Sequence, residues 1–257
     1  MDPTLVHSIF KKKYSRKFRI EKTVSEAIEF RRSVRKFDPS KEIDTKIVKK
    51  CIKNGVLAPN SSNLQLWEFY HITNKELLTN ISRICFNQPA ASTAKQIVIT
   101  IVRKDLWKLR ANQNIDFFNL NKEKLSTKQY DQTKKYYTKA MPLVYKDFLG
   151  ILGFSKYIFA YIIGVFKVMY RQLRSSDTRI VAHKSAALAS QNFMISMSGF
   201  GYDTCPMEGF DSLKLKKLLK LNKKSEINMV IGCGIRSKEG VYGERFRIPF
   251  KEVYFQK

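Results

Sequence analysis

The stretch "QIVITIVR", residues 96–103, constrains the fold more than any other part of the chain. Its β-branched residues predict a strand, and its almost continuous apolar character indicates that both faces of the strand are covered. A second apolar run, "INMVIGCG" at 227–234, predicts another core strand, and the aromatic and β-branched "WEFYHIT" at 67–73 predicts a third. We therefore expect a sheet that other elements cover on both faces.

Capping residues and apolar periodicity predict five helices around these strands. Helices come first in the chain, and the later strands are separated by helices without regular βαβ alternation. This order favours an α+β fold over a doubly wound sheet. The predicted helices are a short one from the Thr23–Glu26 capping box to near "RRS", one from Asp44 to Asn54 with Gly55 at C′, one from Asn74 to about Cys85, a closely packed one over 182–200, and "SLKLKKLLKL" capped by Asp211.

Residues 104–180 are harder to interpret and contain long helices rich in Lys and Tyr. Their most apolar stretch begins at "DFLGILGF" and is interrupted by Lys156 and Lys167, which leaves a charge-free run only over 157–166. A spanning helix needs about 20 apolar residues, so this run does not predict one. A lid, a dimer surface and an interfacial membrane helix remain the alternatives, and a lid or dimer surface is favoured.

The chain is strongly basic, with 48 Lys and Arg against 22 Asp and Glu and a net charge of +26. This balance indicates attraction to a phosphate-bearing cofactor, nucleic acid or an anionic membrane, although scattered solvated lysines would give the same count. Residues 1–22 are predicted to be a basic arm with interleaved aromatics. That arm could contact nucleic acid or lipid head groups, pack on a partner subunit, or remain solvated.

The cysteines and histidines predict neither a disulfide framework nor a metal site. The four cysteines form no CxxC pair, and with the three histidines they match no metal-ligand spacing. The N-terminus has no apolar run of signal-peptide length, so we expect no export and place reduced thiols in the cytoplasm. His71 and His183 lie on predicted apolar elements and are expected to be satisfied core histidines.

Three polar segments are candidates for the functional site. Arginines in "RRSVR" and "RFR" suit bidentate contact with a phosphate, and an extended backbone would put Arg31, Ser33 and Arg35 on one side. "PNSSN" supplies Asn60, Ser61 and Asn63, which suit a heteroaromatic edge or a ribityl chain. Solvated basic faces and an ordinary polar turn are the simpler alternatives for these segments.

The third candidate is "CPMEGFD", residues 205–211, which could act through its thiol, its carboxylate or its backbone. Cys205 has no histidine close in sequence, so a nucleophilic role is disfavoured and packing is expected. Glu208 has no second carboxylate to support a role as general base. A role for the carboxylate therefore stays possible but unsupported, and the backbone of Pro206 to Gly209 is the third possibility.

Taken together and in order, "FRRSVRKFD", "LAPNSSNLQLWEF", "CPMEGFD" and "RFRIP" resemble the FMN-dependent nitroreductase family. The resemblance covers about 23–100 and 182–250. It implies one domain over 23–257, with a central, mainly antiparallel sheet flanked by helices and with 104–180 as the variable, substrate-covering region. It also implies an intertwined homodimer with two FMN sites, each built from both chains; the arm 1–22 is additional to the family's minimal domain.

The resemblance assigns site residues by their place in these motifs. Leu66 departs from the family, which usually has Pro at that position. Arg31 and Ser33 would take the FMN phosphate side and Arg35 the pyrimidine side, Arg245 and Arg247 would close on the phosphate, and Arg32 would also contact the cofactor. Pro59, Asn60, Ser61 and Asn63 would come from the other subunit, and Ser185 and Leu188 would also touch flavin. The resemblance further implies a turn along the flavin formed by Pro206, Met207, Glu208 and Gly209, with Glu208 and Gly209 as the catalytic pair and a backbone N–H presented near N5.

The implied activity is an oxidoreductase that takes hydride from NAD(P)H and reduces a nitroaromatic, a quinone or a related small-molecule acceptor in a ping-pong cycle. Alternatives are a specialised relative, such as a reductive dehalogenase, a flavin-cleaving enzyme or an FMN-using dehydrogenase. A different class would be a basic membrane- or nucleic-acid-binding protein with a non-catalytic site. We expect no specific nucleic-acid partner, and peripheral contact with an anionic membrane is one further expectation.

Overall fold

A four-stranded antiparallel sheet forms the centre of the molecule. The structure is a computed structural model that describes residues 21–147 and 151–257, so the predicted arm 1–22 lies outside it except for Glu21 and Lys22. The order of strands in the sheet is β1-β2-β4-β3, and each neighbouring pair is antiparallel. The strands are β1 Trp67–Ile72, β2 Gln96–Val102, β3 Asp203–Met207 and β4 Glu226–Gly234.

Strand β2 is buried along its whole length, as its apolar run predicts. On one face, Ile97, Ile99 and Ile101 belong to an apolar cluster with residues of the helices that follow β1 and β3. On the other face, Val98 packs in a second cluster, and Thr100 shares a 2.8 Å hydrogen bond with Ser190. Helices therefore cover both faces, which confirms the α+β prediction.

The first helices begin where their capping residues predict. They are α1 Val24–Phe30, α2 Thr45–Gly55, α3 Lys75–Ile84 and the short α4 Pro89–Ser92. Thr23 forms the predicted capping box with Glu26, and Asp44 and Asn74 cap α2 and α3 through their side chains. Gly55 differs from its prediction because it is the last residue of α2 rather than a left-handed C′ residue.

Gly55 lies at a close approach of two helices. An added Cβ would lie 3.1 Å from the Ala189 carbonyl oxygen and 3.3 Å from the Phe193 Cβ, both on the long helix α9, Ser175–Gly199. That helix begins seven residues before the predicted start at residue 182. It runs along α2 and supplies small residues to the contact, so the prediction of a closely packed helix is confirmed.

The segment around β3 differs from the sequence prediction. Pro206 and Met207 were placed in a turn, but they are the last residues of β3, at the edge of the sheet. An edge strand tolerates a proline because one row of its N–H groups has no strand partner. The following helix, α10 Ser212–Leu218, is capped by Asp211 as predicted.

Residues 104–180 form a succession of helices, as predicted in outline. Helix α5 covers Trp107–Leu120, α6 Thr127–Lys135, α7 Met141–Tyr145 and α8 Ile151–Phe166, with a π-helical turn over Tyr136–Ala140 between α6 and α7. Within 21–147 and 151–257, no helix is long and apolar enough to cross a membrane. Residues 235–257, after β4, form no further helix or strand apart from a turn of 3₁₀ helix at Phe250–Glu252.

Candidate functional site

Two arginine-rich segments that lie more than 200 residues apart line one cavity of about 270 Å³. This is the juxtaposition that the phosphate hypothesis needs. The cavity is also lined by Val241, Tyr242 and Phe246, and among the described residues Glu244 is the one acidic side chain in its lining. Its charged and polar lining from the predicted set comprises Arg31, Arg32, Ser33, Arg35, Arg245 and Arg247.

The first segment is held by the edge of the sheet. Ser33 forms a parallel bridge with Thr204 of β3, and the Val34 N–H donates to the Thr204 carbonyl at 3.1 Å. Val34 and Phe37 are fully buried, whereas Ser33 and Arg35 are exposed. The extended backbone that the sequence analysis assumed is therefore present, with its apolar side chains turned inward.

The second segment is tied to the first by hydrogen bonds to main-chain oxygens. The Arg245 guanidinium donates to the carbonyls of Glu29 at 2.6 Å and Arg31 at 2.8 Å. Arg32 donates to the Gly243 carbonyl at 3.0 Å, and Gly243 adopts the positive φ of +62° that glycine permits. These bonds join the C-terminal end of α1 to the segment after β4.

The cavity concentrates positive charge. The pKa of Arg31 is lowered by burial and then by the charges of Arg245, Arg247 and Arg32. Like charges at this spacing repel one another, and an anion with several oxygens relieves that repulsion. The lining therefore has the chemistry of a phosphate site.

Arg236 shows how a structural arginine of the same region differs. Its guanidinium donates to the buried Asp203 carboxylate at 2.9 Å and to the Phe30 carbonyl at 3.1 Å, and it lies 4.2 Å over the Phe30 ring. This pair fixes the end of α1 against β3, immediately before Arg31. The two residues are 33 positions apart and share no motif, so the sequence does not predict this pair.

The segment after β3 lies next to α3 and α4. Glu208 and Gly209 are exposed, and Gln88 donates to the Gly209 carbonyl at 2.9 Å. Within the described ranges, no acceptor bonds the N–H of Glu208 or Gly209. The Gly209 carbonyl is thus held by a hydrogen bond, and the N–H groups of Glu208 and Gly209 can donate to a ligand. The contact with Gln88 was not predicted from the sequence.

Cys205 is fully buried in the core cluster, and burial raises the pKa of its thiol. The packing role expected for it is confirmed. The two histidines are also satisfied: His71 shares a 2.7 Å hydrogen bond with Gln96, and His183 bonds Glu226 and Asn228.

The "PNSSN" loop does not line the arginine cavity of its own chain. The Asn60 carboxamide oxygen accepts from the Gln65 N–H at 2.8 Å, and Asn63 bonds Asn114 at 2.8 Å. The Ser61 N–H is 3.5 Å from the Ser185 hydroxyl, so the predicted loop and the predicted position on α9 do meet. Leu188, one turn further along α9, is 47% exposed.

The loop borders a separate, mainly apolar cavity of about 410 Å³. Ser61 and Ser62 form its polar end, and the rest comes from the variable region and α9. Burial raises the pKa of Tyr145 in this lining to about 12. The other lining residues are Tyr136, Ala140, Met141, Leu143, Val144, Met169, Tyr170, Leu173, Thr178 and Val181. Within one chain, the predicted site residues thus fall into two groups: the arginine cavity and this loop.

An α+β fold with an antiparallel sheet and an arginine-lined cavity at its edge defines a class of proteins with a candidate anion site. Comparison with known sequences makes the class specific. The sequence profile of the nitroreductase family matches residues 28–235, so the chain belongs to the nitroreductase family and is a flavin oxidoreductase. The family that the motifs indicated is thereby confirmed; the last motif, residues 245–249, lies beyond the matched range.

Relatives extend over most of the chain. Protein DrgA of Synechocystis sp. is 25% identical over 227 residues, which cover 87% of this chain and 89% of that protein. The putative NAD(P)H nitroreductase SERP2086 of Staphylococcus epidermidis is 25% identical over 231 residues, covering 88% and 93%.

Solved structures share the fold. The putative nitroreductase ydfN of Bacillus subtilis superposes with a TM-score of 0.70 at 19% identity, covering 91% of this chain and 98% of that one. A putative nitroreductase of Exiguobacterium sibiricum in complex with FMN gives 0.66 at 18% identity, covering 93% and 100%.

Proposed function

We propose that this chain is an FMN-dependent oxidoreductase that oxidises NAD(P)H and reduces a nitroaromatic, a quinone or a similar acceptor by a ping-pong mechanism. The observation that carries the proposal is the cavity in which Arg31, Arg245 and Arg247 converge, with Glu244 as the one acidic lining residue in the part of the chain that the structure describes. When bound, FMN would supply hydride acceptance from NAD(P)H and electron donation to the acceptor. The names of the relatives and the FMN-bound structure support the same activity.

The residues present fit FMN. Arg31, Arg32, Ser33, Arg245 and Arg247 would hold the phosphate, because the cavity gathers these cations and lowers the pKa of Arg31. Arg35, on the same extended segment, would lie at the pyrimidine side. A cation there would stabilise negative charge on the reduced ring.

The strand end after β3 would present backbone N–H groups to the flavin. Glu208 and Gly209 are the proposed catalytic positions, and Pro206 and Met207 lead to them along β3. The Gln88 hydrogen bond to the Gly209 carbonyl supports this role, because it fixes the orientation of the peptide. A backbone donor keeps its proton across the whole working pH range.

We also propose that two copies form an intertwined homodimer. Pro59, Asn60, Ser61 and Asn63, with Ser185 and Leu188 beside them, would reach the arginine cavity of the partner copy, since in one chain the loop borders a different cavity. The C-terminal segment after β4 exposes Phe246, Phe250 and Phe255, which suits wrapping around a second copy.

All four cysteines are free thiols, and we place the protein in the cytoplasm.

Flavin titration tests the function. Purified protein should bind FMN with quenching of flavin fluorescence, and the yellow colour should bleach on addition of NADH or NADPH without oxygen. Addition of an aromatic nitro compound or a quinone should then restore the colour. A protein that FMN cannot titrate would exclude the proposed activity.

A further inference from the structure

Helix α8 presents a wide apolar face to its surroundings. The side chains on that face are at least 40% exposed, and Phe159 and Phe166 reach 64% and 84%. Only Gly153 and Ala160, on the opposite side, are buried. The face, called the α8 face below, consists of Ile151, Leu152, Phe154, Ile158, Phe159, Tyr161, Ile162, Val165 and Phe166.

A contiguous exposed face of this kind marks an interaction surface. Ser155 is the one polar residue among the helical positions that share this side. Sixteen residues at about 1.5 Å each give a helix of about 24 Å, which is shorter than the roughly 30 Å hydrocarbon core of a bilayer. The helix could therefore lie along a membrane surface but is too short to cross it.

Basic side chains border the α8 face. Lys156 donates to the Lys146 carbonyl at 2.5 Å, and Arg171 donates to the Gly164 carbonyl at 2.5 Å while lying 5.5 Å over Tyr161. Arg174 lies 4.8 Å over the Tyr157 ring. The sequence contains no Asp or Glu between Asp147 and Asp177. Apolar side chains flanked by cations and tyrosines have the composition of an interfacial helix.

We propose that the α8 face binds the surface of an anionic membrane. Its aromatic and aliphatic side chains would enter the boundary between head groups and acyl chains, and Lys156, Lys167 and Arg171 would meet lipid phosphates. A second copy of the chain suits this face less well. Two copies packed through this face would bring the cations Lys156, Lys167 and Arg171 of each copy close together, whereas Arg174 is already paired with Asp177 at 3.2 Å.

Vesicle sedimentation with the full chain tests the proposal. Wild-type protein should sediment with phosphatidylglycerol vesicles and stay in solution with phosphatidylcholine vesicles. The double variant Phe159→Ser/Phe166→Ser should bind phosphatidylglycerol vesicles at least about tenfold more weakly than the wild type, because two large apolar contacts are removed. Both replaced residues are exposed, so circular dichroism should be unchanged.

The matched control is Phe86→Ser/Leu213→Ser, which removes a Phe and another apolar residue that are 72% and 78% exposed and lie outside α8. It should bind vesicles like the wild type. Residues 1–20 are intact in both variants, so a loss confined to the α8 variant is due to the helix. Unchanged sedimentation of the α8 variant, or equal binding to both lipids by the wild type, would overturn the proposal. The proposal would also be overturned if the wild type formed an oligomer that does not bind vesicles and the α8 variant did not form this oligomer. A second copy would then cover the face.

Discussion

Arg31 illustrates how the surroundings of a single residue can indicate the kind of ligand that a site would bind. Its guanidinium is partly withdrawn from water and surrounded by Arg32, Arg245 and Arg247, which lowers its pKa. Arg236, close by in the same region, has instead the buried carboxylate of Asp203 as its partner. The contrast separates an arginine that supports the fold from arginines that are arranged for an external anion.

Removing the cations should therefore affect binding more than folding. We predict that Arg31→Ala/Arg247→Ala loses FMN, with the dissociation constant raised by about 100-fold or more, because two charge-assisted contacts to the phosphate disappear. The stability of the FMN-free protein to urea should stay the same or rise slightly, since repulsion among the arginines is relieved. Fluorescence titration and urea unfolding give the two quantities.

Arg83→Ala is the control for this variant, because Arg83 is an exposed arginine on α3, outside the cavity. It should bind FMN like the wild type. Equal FMN affinity in the double variant and in this control would contradict the phosphate assignment.

At the level of elements, the arginine segment depends on its packing against β4. Phe37 is fully buried and forms an isolated antiparallel β-bridge with Arg236. Its ring lies against Gly234, the last residue of β4. An added Cβ at Gly234 would lie 2.7 to 2.9 Å from three atoms of Phe37. The absence of a side chain at Gly234 thus allows the segment that carries Ser33 and Arg35 to approach the sheet.

We predict that Gly234→Ala destabilises the protein by about 1–3 kcal/mol, the range for overpacking a close-packed core. FMN affinity should fall as well, because the shift of Phe37 displaces the arginine segment. Urea unfolding of the FMN-free protein and flavin titration measure the two effects. Gly199→Ala is the control: an added Cβ there meets nothing within 4 Å, and its stability should change little. Equal free energies of unfolding for both variants would show that Phe37 can move away from the added Cβ without destabilising the protein.

Local chemistry explains which elements could be predicted from sequence. Thr23, Asp44, Asn74 and Asp211 start their helices because a side-chain oxygen satisfies a free N–H at each start, and this needs only neighbouring residues. Strand β3 could not be read in this way, because Pro206 and Gly209 are local signals for a turn. It pairs as a strand through contacts with β4, which lies about 20 residues further along the chain.

At the scale of the whole molecule, the question is which chain of a dimer supplies each residue of the site. The motifs placed Arg31, Ser33 and Arg35 with Arg245 and Arg247, and the structure brings them together. It keeps the Ser61 loop apart from them, against α9. Sequence could not supply the supporting contacts, Gln88 to Gly209 and Arg236 to Asp203, because each pair is created only by the tertiary fold.

Mixed dimers distinguish a loop that acts on its own chain from one that acts on the partner. Arg31→Ala/Arg247→Ala in one chain and Ser61→Trp in the other, with two different affinity tags, should give a heterodimer with one intact site. By the symmetry of a dimer, about half of the wild-type FMN content should remain, although each homodimer is empty. Ser61 is exposed in the single chain, so the tryptophan should permit folding.

A wild-type pair carrying the same two tags is the reference for FMN content. A heterodimer without flavin would mean that the loop serves the site of its own chain. A protein that remains monomeric at all concentrations would remove the basis for a shared site.

The apolar cavity beside the loop is continuous with the segment that follows α8, since Met169, Tyr170 and Leu173 contribute to its lining. If α8 rests on lipid, this segment would hold the cavity close to the layer in which hydrophobic quinones dissolve. Turnover would then follow surface-dilution kinetics: the rate would depend on the mole fraction of quinone in the bilayer and not on its concentration in bulk water. Diluting the quinone with inert lipid at constant total quinone would slow the enzyme on vesicles.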